Sequence, residues 1–169
     1  MFRKKIINLY DDQGRVSQAL TVSELKELSL NDLKSYLVNT ESVIRQHALF
    51  VSDRENTLML TFGYPSIEAT QKGMRSYADG SVQKQMDDLN ASMAALRNDL
   101  AGITPIATPT AAEQAKKSSF MKTATDAAKM YLKTIAAGEE LQTQAKILRS
   151  VMASKEEQLT VSPISHTHN

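Results

Sequence analysis

Ser81-Val82-Gln83-Lys84-Gln85-Met86-Asp87-Asp88-Leu89-Asn90-Ala91-Ser92-Met93-Ala94-Ala95-Leu96-Arg97-Asn98-Asp99-Leu100-Ala101-Gly102-Ile103 is the stretch on which the fold turns. Val82, Met86, Leu89, Met93, Leu96, Leu100 and Ile103 follow one another at alternating spacings of four and three. That interval returns to one side of an α-helix, whereas a strand would need an interval of two. Lys84, Asp87, Asp88 and Asn98 fall on the far side. The pattern predicts a helix with a coiled-coil type of seam.

Downstream, Gly102 to Thr110 interrupts the helix with a glycine and two prolines. Thr110-Ala111-Ala112-Glu113 then spells a capping box, in which a threonine hydroxyl and a glutamate satisfy the first free amides of a new helix. The apolar series Phe120, Ala124, Ala128, Tyr131, Ile135, Leu141, Ala145, Leu148 and Met152 carries that helix to about Leu159. At ~1.5 Å per residue it spans roughly 70 Å, too long for a compact bundle in a chain of this size. A short link between two patterned helices implies an antiparallel hairpin. The second helix outruns the first. Either it folds at Gly138, or its overhang packs on an N-terminal head or on another subunit. From Val161, past Pro163, the sequence reads as a flexible tail.

Upstream, Ser66 can cap a helix after Pro65, and Ser81 can restart it. Gly73 and Gly80 weaken that helix by about 1 kcal/mol each relative to alanine. Further back, Leu30, Leu37, Ile44 and Val51, with Tyr36, Val43 and Phe50 beside them, draw a broad apolar stripe on another helix, with Leu33, Thr40 and His47 between. Leu58, Leu60 and Phe62 alternate, and Thr57 and Thr61 flank them. We read 57–62 as a third strand, against a competing reading in which the helix simply continues. Lys5 to Tyr10 and Arg15 to Leu20 read as a β-hairpin about the turn signal Asp11-Asp12-Gln13-Gly14. Thr21-Val22-Ser23-Glu24 is a further capping box, and Ser29-Leu30-Asn31-Asp32 repeats its logic.

The expected fold is therefore mainly α: a long antiparallel helical hairpin or coiled coil with a small N-terminal α+β head. The head takes residues 1–65, the hairpin 66–160 with its break at 102–110, and the tail 161–169.

Composition narrows the function classes. The 169 residues contain no cysteine, which excludes disulfides, thiolate zinc sites and a cysteine nucleophile. Net charge is +1, and the tight basic clusters are Arg3-Lys4-Lys5 and Lys116-Lys117, so charge argues against a nucleic-acid partner. No apolar run reaches the roughly 20 residues of a membrane helix. Asn8, Asp11 and Asp12 end the apolar start too early for a cleaved signal peptide. A cytoplasmic protein, or one incorporated in a virion or other assembly, is expected.

Chemistry-bearing patterns are sparse. His47 has Val43 and Val51 one helical turn away and no carboxylate to orient it, which describes a core histidine better than a base. His166 and His168 lack a third ligand on an ordered element. Acidic pairs occur at Asp11-Asp12, in the turn, and at Asp87-Asp88, Glu139-Glu140 and Glu156-Glu157, where adjacent carboxylates on a helix point about 100° apart and do not converge. No phosphate loop or nucleophile elbow is spelled. We expect no enzyme, no cofactor and no metal.

What is left is mechanical. Val82, Met86, Leu89, Met93, Leu96 and Leu100 on the first long helix, with Tyr131, Ile135, Leu148 and Met152 on the last, form the expected interaction seam of a structural protein. Such a protein would form a homo-oligomer or dock on a larger assembly. The composition, without cysteine, poor in aromatics and rich in Ser, Thr, Ala and Gln, looks like that of small phage virion components and secretion-apparatus accessories. The alternative is a small dimeric nucleic-acid-associated regulator that binds through Arg3, Lys4, Lys5 and Arg15. An enzyme whose site is completed by a partner chain, with His47 as its base, ranks third.

Overall fold

The computed structural model describes residues 5–102 and 109–166, with side chains described as far as Thr160. Arg3, Lys4 and residues 103–108 of the expected break lie outside the described residues, as do residues 167–169 of the expected tail.

Ile6–Tyr10 (β1) and Val16–Thr21 (β2) pair antiparallel, Ile6 opposite Thr21 and Tyr10 opposite Val16, with a bulge between Leu9 and Tyr10. Asp11 organises the turn: its Oδ1 accepts from the amides of Gln13 and Arg15, both at 2.9 Å. Thr21 caps α1 (Val22–Leu25) in the expected box, accepting from the Glu24 amide at 3.2 Å while Glu24 Oε1 accepts from the Thr21 amide at 3.1 Å. Ser29 Oγ accepts from the Asp32 amide at 3.1 Å and opens α2 (Leu30–Phe62).

The segment 57–62, expected as a strand, is the last part of α2. The burial pattern shows why. Leu58 is 5% exposed and Phe62 half-buried, four residues apart on one helical face, while Leu60 between them is 78% exposed. A strand would have put all three on one side. Gly63, at φ +70°, ends the helix, and the Tyr64 amide donates to the Met59 carbonyl at 3.0 Å. That pairing is the Schellman arrangement, which needs a left-handed residue.

Ser66 then caps α3 (Ile67–Ala78), its Oγ accepting from the Ala69 amide at 3.0 Å. Gly80, at φ +85°, separates α3 from α4 (Ser81–Leu100), and Asp79 Oδ1 accepts from the Ser81 amide at 2.8 Å. Hydrogen bonds from the Ser81 side chain and amide hold the Asp79 carboxyl below its usual range. Thr110 opens α5 (Ala111–His166) with the predicted box. No break occurs in α5 at Gly138, and its helix continues beyond Val161 to His166.

The chain forms two compact units, one from residues 1–52 and 136–169 and the other from 53–135. Both α2 and α5 contribute residues to each. In the first unit Ile7 and Leu9, alternate residues of β1, are buried with Leu25, Leu33, Leu148 and Val151. Tyr36, Leu37 and Met152 close over them. Each such side chain contributes about 1.5–3 kcal/mol when removed from water. The C-terminal part of α5 is thus the partner of the β-hairpin and of the start of α2. Its overhang packs on the head. His47 lies over Gly138: a Cβ there would stand 3.0 Å from the imidazole Cδ2. Glycine at 138 therefore permits close approach of His47 of α2.

The second unit buries Leu58, Met74, Ala128 and Tyr131, with Phe62, Tyr77 and Ile135 packed against them. Phe62 meets Phe120 edge-on at 5.8 Å between ring centres. No helix among the described residues is long and apolar enough to cross a membrane.

Candidate interaction surface

The seam residues separate into two groups. On α5, Tyr131 and Leu148 are buried and Ile135 and Met152 half-buried, each in the core of its own unit. They are already covered. On α4, Val82, Met86 and Leu100 are half-buried, while Leu89, Met93 and Leu96 are 54%, 38% and 45% exposed. No residue of α4 is buried. A helix of this length is marginal in water without an apolar face packed on something.

α4 does have a neighbour. α4 and the start of α5 together line a groove of about 330 Å³. Gln83, Met86, Asn90 and Arg97 form one wall, and Pro109, Gln114, Lys117, Ser118 and Met121 the other. At about 100° per residue, and with Val82 at zero, those α4 positions lie between about 40° and 100°. Leu89 and Leu96 lie at about 340° and 320° on the same wheel. The groove uses one flank of the seam, and the exposed leucines occupy the other. Local sequence explains the arrangement: the flank toward α5 is polar (Gln83, Asn90, Arg97), so the leucines are left without a partner.

A polar node that pattern reading missed lies in the core of the second unit. Glu55, on α2, is 8% exposed. Its Oε2 accepts a short hydrogen bond from the Tyr131 hydroxyl of α5 and another from Gln71 Nε2 of α3 at 2.7 Å. Burial, then the hydrogen bond to Glu55 and its charge, push the Tyr131 phenol well above its usual value, and Arg75 pulls weakly the other way. One carboxylate thereby ties three helices together. Only the spacing of Tyr131 in the apolar series hinted at its burial; nothing near Glu55 announced its partner 76 residues away.

The remaining candidates lie on separate elements where they are described. His47 is half-buried against Gly138 and tilted toward Phe50 at 6.3 Å. Asp87 accepts from Gln83 at 2.9 Å. Among the described residues no group of His, Asp and Glu could hold a metal ion. The side chains of His166 and His168 lie outside the described residues. Comparison of the chain with models of protein families, with curated proteins and with solved structures finds no match.

Proposed function

We propose that this chain is a non-catalytic assembly protein that joins copies of itself, or docks on a larger complex, through the apolar edge of α4. The supporting observation is a helix of 20 residues that carries six apolar seam positions and has no buried residue. Leu89, Met93 and Leu96 form a contiguous apolar edge, and covering such side chains contributes about 1.5–3 kcal/mol apiece. The cores of both units are closed without them. A structural component of the virion or secretion-accessory type suits this design, because its work is contact rather than turnover.

Sedimentation equilibrium of the full chain across micromolar concentrations tests the reading, together with affinity recovery of partners from its host. Wild-type chain is expected to self-associate or to retain a stoichiometric partner. Leu89→Asp with Leu96→Asp is expected to abolish either interaction while leaving the helical circular dichroism of the rest intact. A strict monomer without a partner, or association unaffected by the two aspartates, would rule the reading out.

A further inference from the structure

α2 runs uninterrupted from Leu30 to Phe62, and its outer face carries an apolar pattern that neither core uses. Val38, Leu49 and Leu60 are 60%, 68% and 78% exposed. They recur at intervals of eleven, and eleven residues at about 100° each return to within about 20° of the starting direction. The three side chains therefore share one line along the helix, roughly 33 Å from end to end. Leu33, Thr40 and Leu58, all buried, lie within about 20° of the direction opposite Leu49. The apolar line thus points straight away from the side on which α2 is packed. Arg45 and Asp53 stand four residues to either side of Leu49, each about 40° from it. Both are exposed, and neither takes part in the ion pairs of the described residues, which join Lys5 to Glu140, Lys72 to Glu68 and Arg149 to Glu41.

We propose that this face binds a second copy of the chain, α2 against α2, antiparallel and with Leu49 at the two-fold axis. The face is its own complement in that register, as a two-fold contact requires. Val38 shares a level with Leu60, Leu49 with Leu49, and Ser42 with Asn56. Arg45 shares a level with Asp53 on both sides of the axis, so each charge gains an opposite partner. Other registers lose this match. A slip of seven sets Leu49 against Ser42 and Arg45 against Gln46, and a slip of eleven leaves Arg45 opposite Ser42. A parallel pair opposes Arg45 to Arg45 and Asp53 to Asp53, which like charges disfavour. The face holds three apolar side chains where the α4 seam holds six, so less apolar surface is covered and the contact forms above the micromolar range. This inference does not rest on the assembly reading, since it concerns a different helix.

Sedimentation equilibrium of the full chain carrying Leu89→Asp and Leu96→Asp, taken to about 1 mM, isolates this contact from that of α4. A monomer–dimer equilibrium is expected, with a dissociation constant on the order of hundreds of micromolar. Arg45→Glu or Asp53→Arg alone places like charges at one level on both sides of the axis, and is expected to weaken the dimer by about fivefold or more. Arg45→Glu together with Asp53→Arg is expected to restore it to within about twofold, because the exchanged charges again face opposite partners. Leu49→Asp is expected to abolish it. Far-UV circular dichroism reports whether each variant keeps its helices, and the neutral change Leu49→Ala, expected to weaken the dimer several-fold, provides the same reading if Leu49→Asp does not. A monomer at the highest concentration, a dimer that the Leu49 changes or the single reversals leave intact, or a folded double reversal as weak as the single ones would overturn the proposal. The α4 reading is judged on the wild-type chain at micromolar concentration, so either can fail without the other.

Discussion

Tyr131 is the residue whose environment most constrains the second unit. It is 2% exposed, and its hydroxyl donates to Glu55, which Gln71 also contacts. Tyr131→Phe keeps the ring and removes the donor, so a loss of about 2 kcal/mol in urea unfolding is expected, the usual worth of a hydrogen bond to a charged group. The raised phenol pKa adds a pH signature. A group whose pKa is higher folded than unfolded contributes stability that is complete below the unfolded value, about 10 for tyrosine. That contribution falls away as pH rises from there toward the folded value. Wild type should therefore lose stability in alkali more steeply than Tyr131→Phe, measured as the difference between their unfolding midpoints above pH 10. Gln144 presents the opposite case. It is 3% exposed and its Oε1 has no partner. An unsatisfied buried acceptor costs about 1–3 kcal/mol, so Gln144→Met, of similar length, is expected to raise the urea midpoint.

Among the elements, α3 and the end of α2 show how local signals and long-range contacts divide the information. The caps at Thr21, Ser29, Ser66 and Thr110 were legible because each is a contract between residues three apart. The end of α2 was not, because the alternation of Leu58, Leu60 and Phe62 satisfies either period until one knows what packs on Leu58. Gly63, one residue past Phe62, was the local clue. Gly73 reads in sequence as a weak point of α3. In the fold the Tyr64 ring occupies the space its Cβ would fill. Gly73→Ala should therefore destabilise the wild-type chain despite alanine's better helix propensity. In a Tyr64→Ala background the sign should reverse, with a gain of up to about 1 kcal/mol. A thermal-unfolding double-mutant cycle measures that coupling.

The α4 seam makes a register prediction for the case in which a second copy covers it. Antiparallel pairing about Ala91 sets Val82 against Leu100, Met86 against Leu96 and Leu89 against Met93, apolar on apolar throughout. The flanking pairs are then Gln83 with Arg97, Asn90 with Asn90, Gln85 with Asp99 and Ser92 with Ser92, with no like charges opposed. A parallel pair would instead bring both copies of α3 to the same end. The chain has no cysteine, so single introduced thiols report cleanly. Ser92→Cys is expected to form an intermolecular disulfide under mild oxidation, and Val82→Cys is not. The reverse result would mean parallel strands in the coil.

At the level of the whole molecule, the two cores and the uncovered helix differ in what stabilises them. Burial within one chain is indifferent to concentration, and Ile7, Leu9, Leu33, Leu148, Leu58 and Tyr131 are all buried within one chain. The edge of α4 is not. Two such helices, each ~30 Å long and ~10 Å wide, cover on the order of 1,000 Å² together. That is near the lower edge of interfaces that persist in solution, so micromolar association is expected. Association that occurs only in the folded state stabilises it by mass action. The Tm of the wild-type chain should accordingly climb as protein concentration is raised from well below to well above the association midpoint, by about 2.7 kcal/mol of stability at a hundredfold excess. Leu89→Asp with Leu96→Asp should hold a constant Tm over the same series. A wild-type Tm that ignores concentration would leave a heterologous partner as the only way to cover that edge.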